Sequence, residues 1–337
     1  MSLHVATRNF TSNTMQKNII HLQDCVAGML ALPSKSVDIV ATSPPYNLGI
    51  AYGTYKDNKP RQEYLDWLGK VFEAVKHCLK DDGHFWLNVG YSNIDPWVGM
   101  DVAQVAREHF VLQNNFTWVK SITINDVTTG HFKPINSDRF ANPTWEHLFH
   151  FTKTGAVPCD KLAVGVPYMW DCNIDNTGRI KGRLAKKLGF KDIKDYNKNA
   201  TTEQREKFDI EIANKIANQK PKADSRCRGN SWFVPYDTIA NREKHRGSHP
   251  ATYPVALIEQ CIKFSGISSG VLVDPFMGSG TSAVAAVKCG LEYIGFDIDA
   301  EYRQFAQDRI ADFETHDARE LAERDTLDQK LSLFEVI

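Results

Sequence analysis

Apolar and polar positions along the first half of the chain predict strands and helices in alternation. Apolar or β-branched runs of about four to eight residues are typical of buried strands, and apolar residues three and four apart are typical of helices. The Asp-Asp-Gly sequence at 81–83 is expected to end one helix before the next strand begins. The predicted strands cover 18–22, 36–42, 84–89, 110–120 and 145–153, and the predicted helices cover 26–32, 63–79 and roughly 101–109.

The alternation stops after Lys153 and returns near residue 247. Residues 154–246 are polar, basic and irregular, with one helix predicted around 202–218, so we expect them to form an inserted or appended second domain. From 247 onward, helices are predicted at 254–264, 281–290 and 300–313, and strands at 271–276 and 293–299.

This order of elements predicts an α/β fold, in which helices cover both faces of a largely parallel sheet. A chain of 337 residues is long enough to bury the core of such a sheet. The expected domains are two halves of one sheet domain at 17–153 and 247–315, the region 154–246 between them, and an acidic C-terminal tail at 316–337.

The composition, with 42% hydrophobic and 24% charged residues, is that of an ordinary globular protein. No run approaches the ~20 apolar residues of a membrane helix, and the N-terminal stretch lacks the apolar core of a signal peptide. We therefore expect a cytoplasmic protein. The seven cysteines are scattered and form no CxxC pair, so we expect reduced thiols and no structural metal.

Charge is distributed unevenly along the chain. The net charge is −1, yet residues 179–228 hold 15 lysines or arginines against seven acidic residues. Such asymmetry attracts a polyanion to the basic segment. On charge alone, a solvated helical insert explains the segment equally well.

A glycine-rich turn follows the strand predicted at 271–276. The sequence Phe-Met-Gly-Ser-Gly-Thr at 276–281 opens a helix whose first N–H groups and positive dipole end are available to a ligand. The next strand reaches Asp297, whose carboxylate is placed to bind both hydroxyls of a ribose. These features predict an adenosine-bearing cofactor. Ala283, in place of the third glycine of the dinucleotide fingerprint, does not exclude NAD.

A second motif, Thr-Ser-Pro-Pro-Tyr-Asn, completes the strand predicted at 36–42. Two prolines cannot continue a central strand, so they mark its carboxyl end, where open α/β sheets bind their ligands. The prolines hold the backbone rigid, so the Ser43 hydroxyl and the Pro44 carbonyl can face outward as acceptors, and Tyr46 adds a flat aromatic face. These groups suit a planar amine, with two acceptors for its N–H donors and a ring on which its heterocycle stacks.

Together, TSPPYN and DPFMGSGT resemble the motifs of the amino-group DNA methyltransferases that depend on S-adenosyl-L-methionine. That family carries an (Asp/Asn/Ser)-Pro-Pro-(Tyr/Phe) tetrapeptide and a Phe-x-Gly-x-Gly motif. The tetrapeptide comes first here, as in the β class of these enzymes. The resemblance covers roughly 17–153 and 247–315. It implies a Rossmann-like class I methyltransferase mixed sheet with circularly permuted motif order and a target recognition region inserted at 154–246.

The resemblance also implies roles for particular residues. The catalytic residues would be Ser43, Pro44, Pro45 and Tyr46. The cofactor-binding residues would be Asp24, Cys25, His249, Thr252, Asp274, Phe276, Gly278, Gly280, Thr281 and Asp297. In the basic region, the candidate DNA-binding residues are Lys181, Arg183, Lys186, Lys187, Arg226 and Arg228.

The implied reaction is direct methyl transfer to the exocyclic amine of a base flipped out of duplex DNA. In the family, serine in the first position usually accompanies cytosine N4 methylation, and aspartate or asparagine usually accompanies adenine N6 methylation. Ser43 therefore favours N4-methylcytosine, with adenine N6 as the alternative. An NAD(P)-dependent oxidoreductase and a DNA-binding module without catalysis are competing hypotheses. Duplex DNA is the expected partner, and a restriction endonuclease and a second copy of the chain are further candidates.

Overall fold

The computed structural model describes residues 16–50, 54–130, 137–167, 177–217, 225–235 and 252–316. In the first half the elements are β1 (Ile19–Leu22), α1 (Cys25–Ala31), β2 (Val37–Thr42), α2 (Arg61–Cys78), β3 (Leu79–Val89), α3 (Val98–Arg107), β4 (Val111–Val119), β5 (Ser121–Ile124), β6 (Val127–Gly130) and β7 (Trp145–Thr152). The second half contains β8 (Val166–Pro167), α4 (Thr177–Lys187), α5 (Ile193–Asn199), α6 (Thr202–Ala217), β9 (Ser225–Arg226), β10 (Ser231–Phe233), α7 (Val255–Ser265), β11 (Val271–Asp274), α8 (Thr281–Lys288) and β12 (Glu292–Asp297). Residues 300–316 form a further helix.

Eight strands form one sheet in the order β1-β12-β11-β2-β3-β7-β4-β10. The neighbouring strands are parallel except at β7, which runs antiparallel to both β3 and β4. The sheet is therefore mixed and mostly parallel, and the predicted fold class is confirmed. Across the described residues, no helix combines the length and apolar character that crossing a membrane requires.

Helices cover both faces of this sheet. Because successive side chains of a strand point to opposite faces, β3 sends Phe85 and Leu87 to one face and Trp86 to the other. Helices α1, α2 and α3 pack on the first face, and α7, α8 and the helix over 300–316 pack on the second. The predicted helical spacing in α2 corresponds to its buried side, which carries Tyr64, Leu68, Val71, Phe72, Ala74, Val75 and Cys78.

The strands that precede the two motifs end at the same edge of the sheet. Strands β2 and β11 are parallel neighbours, so the chain leaves the sheet at the same edge after Thr42 and after Asp274. Strands β1 and β12 are also parallel and end side by side at Leu22 and Asp297. This carboxyl edge is where open α/β sheets bind ligands.

Strand β3 begins earlier than the sequence pattern predicts. It starts at Leu79, directly after α2, and runs through the predicted break at 81–83. The pairing with β2 shifts here, since Val37 lies opposite Leu79 and Ile39 lies opposite His84. A Cβ on Gly83 would lie 2.7 Å from the Leu79 side chain. The glycine therefore lets the backbone pass close to Leu79 at this irregularity, and strand β3 continues through it.

Several further elements were not predicted, among them a hairpin and a short strand of the main sheet. The hairpin of β5 and β6 turns at Asn125 and Asp126, both at positive φ (49° and 64°), without the glycine that usually marks such a turn. Strand β10 is only three residues long, yet it pairs with β4 in the main sheet although it lies within the predicted insert at 154–246. The short length of β10 explains why periodicity does not reveal it.

Residues 165–227 form a second compact unit, shorter than the region expected at 154–246. Helices α4, α5 and α6 surround a small core, in which Tyr196 stacks on Phe208 with ring centroids 4.1 Å apart. The predicted helix around 202–218 corresponds to α6. Residues 236–251 lie outside the described residues.

A pair of histidines is buried in the main sheet. His84 of β3 and His150 of β7 are 2% and 0% exposed, and Nδ1 of His84 lies 2.9 Å from Nε2 of His150. The Asn114 amide lies 2.9 Å from the other ring nitrogen of His150, and Trp86 stacks on its ring. Burial lowers the pKa of both imidazoles below the ordinary histidine value, so both are neutral at neutral pH.

We expect this pair to make the protein acid-sensitive. Below about pH 6.5 these histidines are protonated in the unfolded chain but stay neutral in the folded protein. The free energy of unfolding therefore falls by up to about 1.4 kcal/mol for each histidine with each unit by which the pH is lowered. His150→Gln removes one of these groups. In urea denaturation, the difference in the free energy of unfolding between wild type and this variant should be smaller at about pH 5.5 than at about pH 7.5.

Trp86→Phe is the matched control, because it alters packing against the same ring without removing a titrating group. Its deficit should be equal at both pH values. A His150→Gln deficit that is equally independent of pH would contradict the explanation.

Candidate active site

A cavity of about 260 Å³ opens at the carboxyl edge of the sheet. Residues from both motifs line it, together with the ends of β1 and β12. The predicted site residues found in its wall are Asp24, Cys25, Ser43, Pro44, Pro45, Tyr46, Phe276, Gly278 and Asp297. The structure thus brings the tetrapeptide and the glycine turn, 230 residues apart in sequence, to one cavity.

The glycine turn is tied to the end of β12. Gly278 and Gly280 have φ values of 50° and 78°, which side chains with a Cβ rarely adopt. The Gly278 N–H donates to Oδ2 of Asp297 (2.8 Å), and the Asp299 N–H donates to Oδ1 (2.9 Å). Burial raises the pKa of the Asp297 carboxyl. The turn and the acid predicted to bind ribose therefore form one hydrogen-bonded unit.

Asp24 has a second task in the structure, because it caps helix α1. Its Oδ1 accepts hydrogen bonds from the N–H groups of Val26 (3.0 Å) and Ala27 (3.1 Å). The cap fixes the carboxylate against the cavity wall. Burial raises the pKa of the neighbouring Cys25 thiol to about 12, so this group stays protonated.

The tetrapeptide is held by side chains from other elements. The hydroxyls of Ser43 and Tyr46 lie 2.7 Å apart, and the Tyr46 hydroxyl donates to Oε2 of Glu146 (3.1 Å). The Tyr64 hydroxyl of α2 donates to the Pro45 carbonyl (2.8 Å). Ser43 and Tyr46 remain half-buried on the cavity. The ring of Tyr46 is therefore accessible from the cavity while its hydroxyl is fixed.

Asp57 holds the segment after the tetrapeptide, a function that sequence analysis missed. This carboxylate is 3% exposed and accepts hydrogen bonds from the N–H groups of Asn47, Leu48 and Ile50 at 2.8 to 3.1 Å. Burial raises the pKa of the Asp57 carboxyl. No motif marks Asp57, since its partners become visible only once the chain folds back on itself.

Three of the predicted cofactor residues lie behind the cavity wall. Asp274 is fully buried and accepts from the Thr42 hydroxyl (2.5 Å), the Ser282 hydroxyl (2.5 Å), the Tyr253 hydroxyl (3.1 Å) and the Phe276 N–H (2.9 Å). Its carboxyl thus connects Thr42, just before the tetrapeptide, with Phe276 in the glycine turn. The other two support the turn: Gly280 packs close to the helix over 300–316, and Thr281 accepts from Arg309 (2.9 Å).

The remaining predicted residues lie elsewhere. Thr252 is half-buried and is not part of the cavity wall, and His249 lies outside the described residues. Arg228 belongs to the main unit and donates to the Val164 carbonyl (3.1 Å). Five candidates are exposed on the unit formed by 165–227, namely Lys181, Arg183, Lys186 and Lys187 on α4 and Arg226 on β9.

Aromatic residues that the motifs do not include complete the cavity. Trp67 of α2 lies beside Phe276, with ring centroids 5.5 Å apart, and the Lys59 ammonium lies 5.3 Å from the Trp67 ring. Tyr302 and Asp299 add a phenol and a carboxylate. The helical periodicity of α2 did not mark Trp67.

One group among the described residues has side chains able to ligate a metal. It consists of His84, His150 and Cys159, whose ligand atoms lie within 4.8 Å of one another. The two imidazoles are hydrogen-bonded to each other, and the Gln113 amide donates to the Cys159 sulfur (3.5 Å). These hydrogen bonds already occupy the ligand atoms, and burial raises the pKa of the Cys159 thiol. The group is therefore explained as a hydrogen-bonded cluster in the core.

The chain is similar to known DNA methyltransferases. Residues 37–308 match the family model N6_N4_Mtase, described as DNA methylase. The chain is 26% identical to the type II methyltransferase M.ScaI of Streptomyces caespitosus, over 87% of this chain and 81% of that protein. It is 22% identical to the DNA adenine methyltransferase YhdJ of Escherichia coli K12, over 91% and 86% of the two chains.

A solved structure is also similar. The PvuII DNA methyltransferase, described as cytosine-N4-specific, matches with a TM-score of 0.57 and 18% identity over 87% of this chain and 90% of that chain. This likeness shows that the two chains share a fold. The family match covers both motifs and the region between them.

The geometry predicts that Asp57 stabilises the cavity wall. Asp57→Ala leaves three N–H groups beside the tetrapeptide without their acceptor, so the free energy of unfolding should fall by about 2–4 kcal/mol in urea denaturation. The exposed Asp66 of α2 is the matched control, and Asp66→Ala should change it by less than about 0.5 kcal/mol. Equal effects in the two variants would show that Asp57 has no special place in the fold.

Proposed function

This chain belongs to the N6/N4 family of DNA methylases, and we propose that it transfers a methyl group from S-adenosyl-L-methionine to the N4 amine of a flipped-out cytosine. Its substrate is duplex DNA at a specific sequence, as the naming of M.ScaI as a type II methyltransferase suggests. The observation that carries the proposal is the meeting of Ser43 and Asp297 at one cavity. An acceptor for an amine and a binding group for the methyl donor lie there together.

The chemistry of the cavity wall fits this cofactor. The carboxylates of Asp24 and Asp297 suit ribose hydroxyls and the positive charges of the molecule. The rings of Phe276 and Trp67 suit a purine, and the Gly278 turn lets a ligand approach the backbone closely. When bound, S-adenosyl-L-methionine supplies a methyl group made electrophilic by a sulfonium.

The tetrapeptide orients the amine. An exocyclic amine is a poor nucleophile because its lone pair is delocalised into the ring. Hydrogen bonds from its two N–H groups to the Ser43 hydroxyl and the Pro44 carbonyl favour a pyramidal nitrogen with an available lone pair. The fixed positions of these acceptors provide alignment, which accounts for much of the acceleration in such transfers. Tyr46 stacking helps to offset the cost of flipping the base out of the duplex.

The choice of cytosine rests on Ser43 and on one structural relative. The PvuII enzyme of similar fold is described as cytosine-N4-specific, whereas YhdJ is described as an adenine methyltransferase. Serine in the first position favours the former. Adenine N6 remains the alternative substrate of the same site, because the described wall of the cavity accepts a planar amine of either base.

We propose the unit at 165–227 as the DNA-binding element. Exposed lysines and arginines on α4 present positive charge to solvent, and such groups neutralise phosphates and release counterions. The apolar core beneath them gives these side chains a folded support.

Mass spectrometry of nucleosides from DNA treated with the protein and S-adenosyl-L-methionine tests the reaction. N4-methylcytosine should accumulate, and Ser43→Ala should lower kcat by about 10²- to 10³-fold because the amine loses an aligned acceptor. The exposed Ser34, changed to alanine, should retain wild-type activity. If N6-methyladenine accumulates instead, adenine and not cytosine is the substrate. The absence of any methylated base would refute the reaction.

Salt dependence tests the DNA-binding unit. Lys181→Gln combined with Lys186→Gln should weaken DNA binding and lower the slope of log K against log[salt] by about one for each lysine that contacts a phosphate. Lys70→Gln with Lys76→Gln, on the exposed side of α2, is the matched control and should leave the slope unchanged. Identical slopes in both double variants would locate the DNA elsewhere.

A further inference from the structure

A carboxylate that neither motif includes lies behind the tetrapeptide. Glu146 of β7 is 8% exposed, and its Oε2 accepts hydrogen bonds from the Tyr46 hydroxyl (3.1 Å) and the Asn88 amide (3.0 Å). Its Oε1 accepts from the Lys120 ammonium (2.8 Å). Glu146 is separated from Tyr46 by 100 residues in sequence, so only the folded sheet brings the two together.

The approach of these groups is close. A Cβ on Gly90, at the end of β3, would lie 2.6 Å from the Tyr46 ring and 3.1 Å from the Glu146 carboxyl carbon. Any larger residue at this position would therefore force the ring and the carboxylate apart. The glycine allows the phenol to reach the carboxylate while the Tyr46 ring still lines the cavity.

The carboxylate determines the direction of two consecutive hydrogen bonds. An ionised carboxylate only accepts, so the single proton of the Tyr46 hydroxyl must point toward Glu146. The Tyr46 oxygen then acts as acceptor for Ser43, whose hydroxyl lies 2.7 Å away. The Ser43 proton is directed to Tyr46, and the remaining lone pair of the Ser43 oxygen is available to a ligand.

We infer that Glu146 is a positioning residue that makes Ser43 a hydrogen-bond acceptor toward the substrate amine. The inference rests on the proposed function, because an amine with two N–H groups needs acceptors and not donors. With the chain of protons reversed, Ser43 would direct its own proton at the amine. That arrangement would oppose the hydrogen bonding that favours a pyramidal nitrogen.

Lys120 makes this direction testable by a single substitution. In Glu146→Gln, the Lys120 ammonium, which only donates, holds the amide oxygen on its own side. The amide NH2 then faces Tyr46 as a donor, and the Asn88 side chain can turn its own amide oxygen, which has no hydrogen-bond partner among the described residues of the wild type, toward this NH2. The Tyr46 proton turns to Ser43, and the Ser43 proton turns to the cavity. The substitution thus reverses the hydrogen bonds while keeping nearly the same side-chain volume.

The experiment compares methyl transfer to DNA by the wild type, Glu146→Gln, Glu146→Asp and the matched control Glu73→Gln, which changes an exposed residue of α2. Glu146→Gln should lower kcat by about 10- to 100-fold, as expected for an altered hydrogen bond to a charged group. The KM for DNA and the affinity for S-adenosylhomocysteine should stay within about twofold of wild type. Glu146→Asp keeps an acceptor and should regain part of the rate.

A double-variant cycle with Tyr46→Phe tests whether Glu146 acts through the phenol. Without the phenol oxygen the link to Ser43 is missing, so Glu146→Gln should lower the rate of Tyr46→Phe by less than about twofold. A full effect in that background would overturn the inference, as would wild-type kcat in Glu146→Gln. A merely structural role would lower the melting temperature and the cofactor affinity together, and would persist in the Tyr46→Phe background.

Two further outcomes are informative. If Glu146→Gln does not fold, Tyr46→Phe carries the test, because it keeps the ring and removes only the hydroxyl. Wild-type kcat in Tyr46→Phe would then refute the role of the chain from Glu146 to Ser43. An active wild type with unaffected variants counts against this inference alone, whereas a wild type that methylates no DNA counts against the proposed function and the inference with it.

Discussion

The fully buried carboxylate of Asp274 connects the two strands whose ends form the cavity. It accepts hydrogen bonds from Thr42 at the end of β2, from Ser282 in α8 and from the backbone of Phe276 in the turn. Burial raises the pKa of this carboxyl, and a buried charge without partners would cost several kcal/mol. The donors therefore have to be in place together. The placement of the tetrapeptide relative to the glycine turn depends on this one group.

Three carboxylates share the work around the tetrapeptide. Asp274 fixes the strand end below it, Asp57 holds the backbone that follows it, and Glu146 holds the Tyr46 hydroxyl behind it. The two prolines have no backbone N–H, so they add no hydrogen-bond donor to this surface. A surface made of a proline pair and of hydroxyls directed toward carboxylates presents acceptors to the cavity. The proposed binding of an N–H-bearing ligand therefore rests on several groups along this edge of the sheet.

Local patterns predict those parts of this molecule that depend on local chemistry. The proline pair and the glycine turn marked two strand ends, and helical spacing marked α2 within two residues at each end. Contacts between distant segments left no such pattern: Glu146 appeared only as one polar position in a strand. His84 and His150 likewise belong to separate strands whose pairing cannot be deduced from periodicity. The family resemblance implied that Asp274 binds the cofactor; in the structure its buried carboxyl accepts hydrogen bonds from Thr42, Ser282 and the backbone of Phe276, which sequence patterns did not reveal.

The two ends of the unit at 165–227 lie close to each other in space. Arg228 donates to the Val164 carbonyl, and within the smaller unit β8 pairs with β9, so its two ends lie side by side. An insertion with adjoining ends can vary in length and sequence without pulling on the strands that carry it. The length and sequence of this unit can therefore change while the strand ends that form the cavity keep their positions.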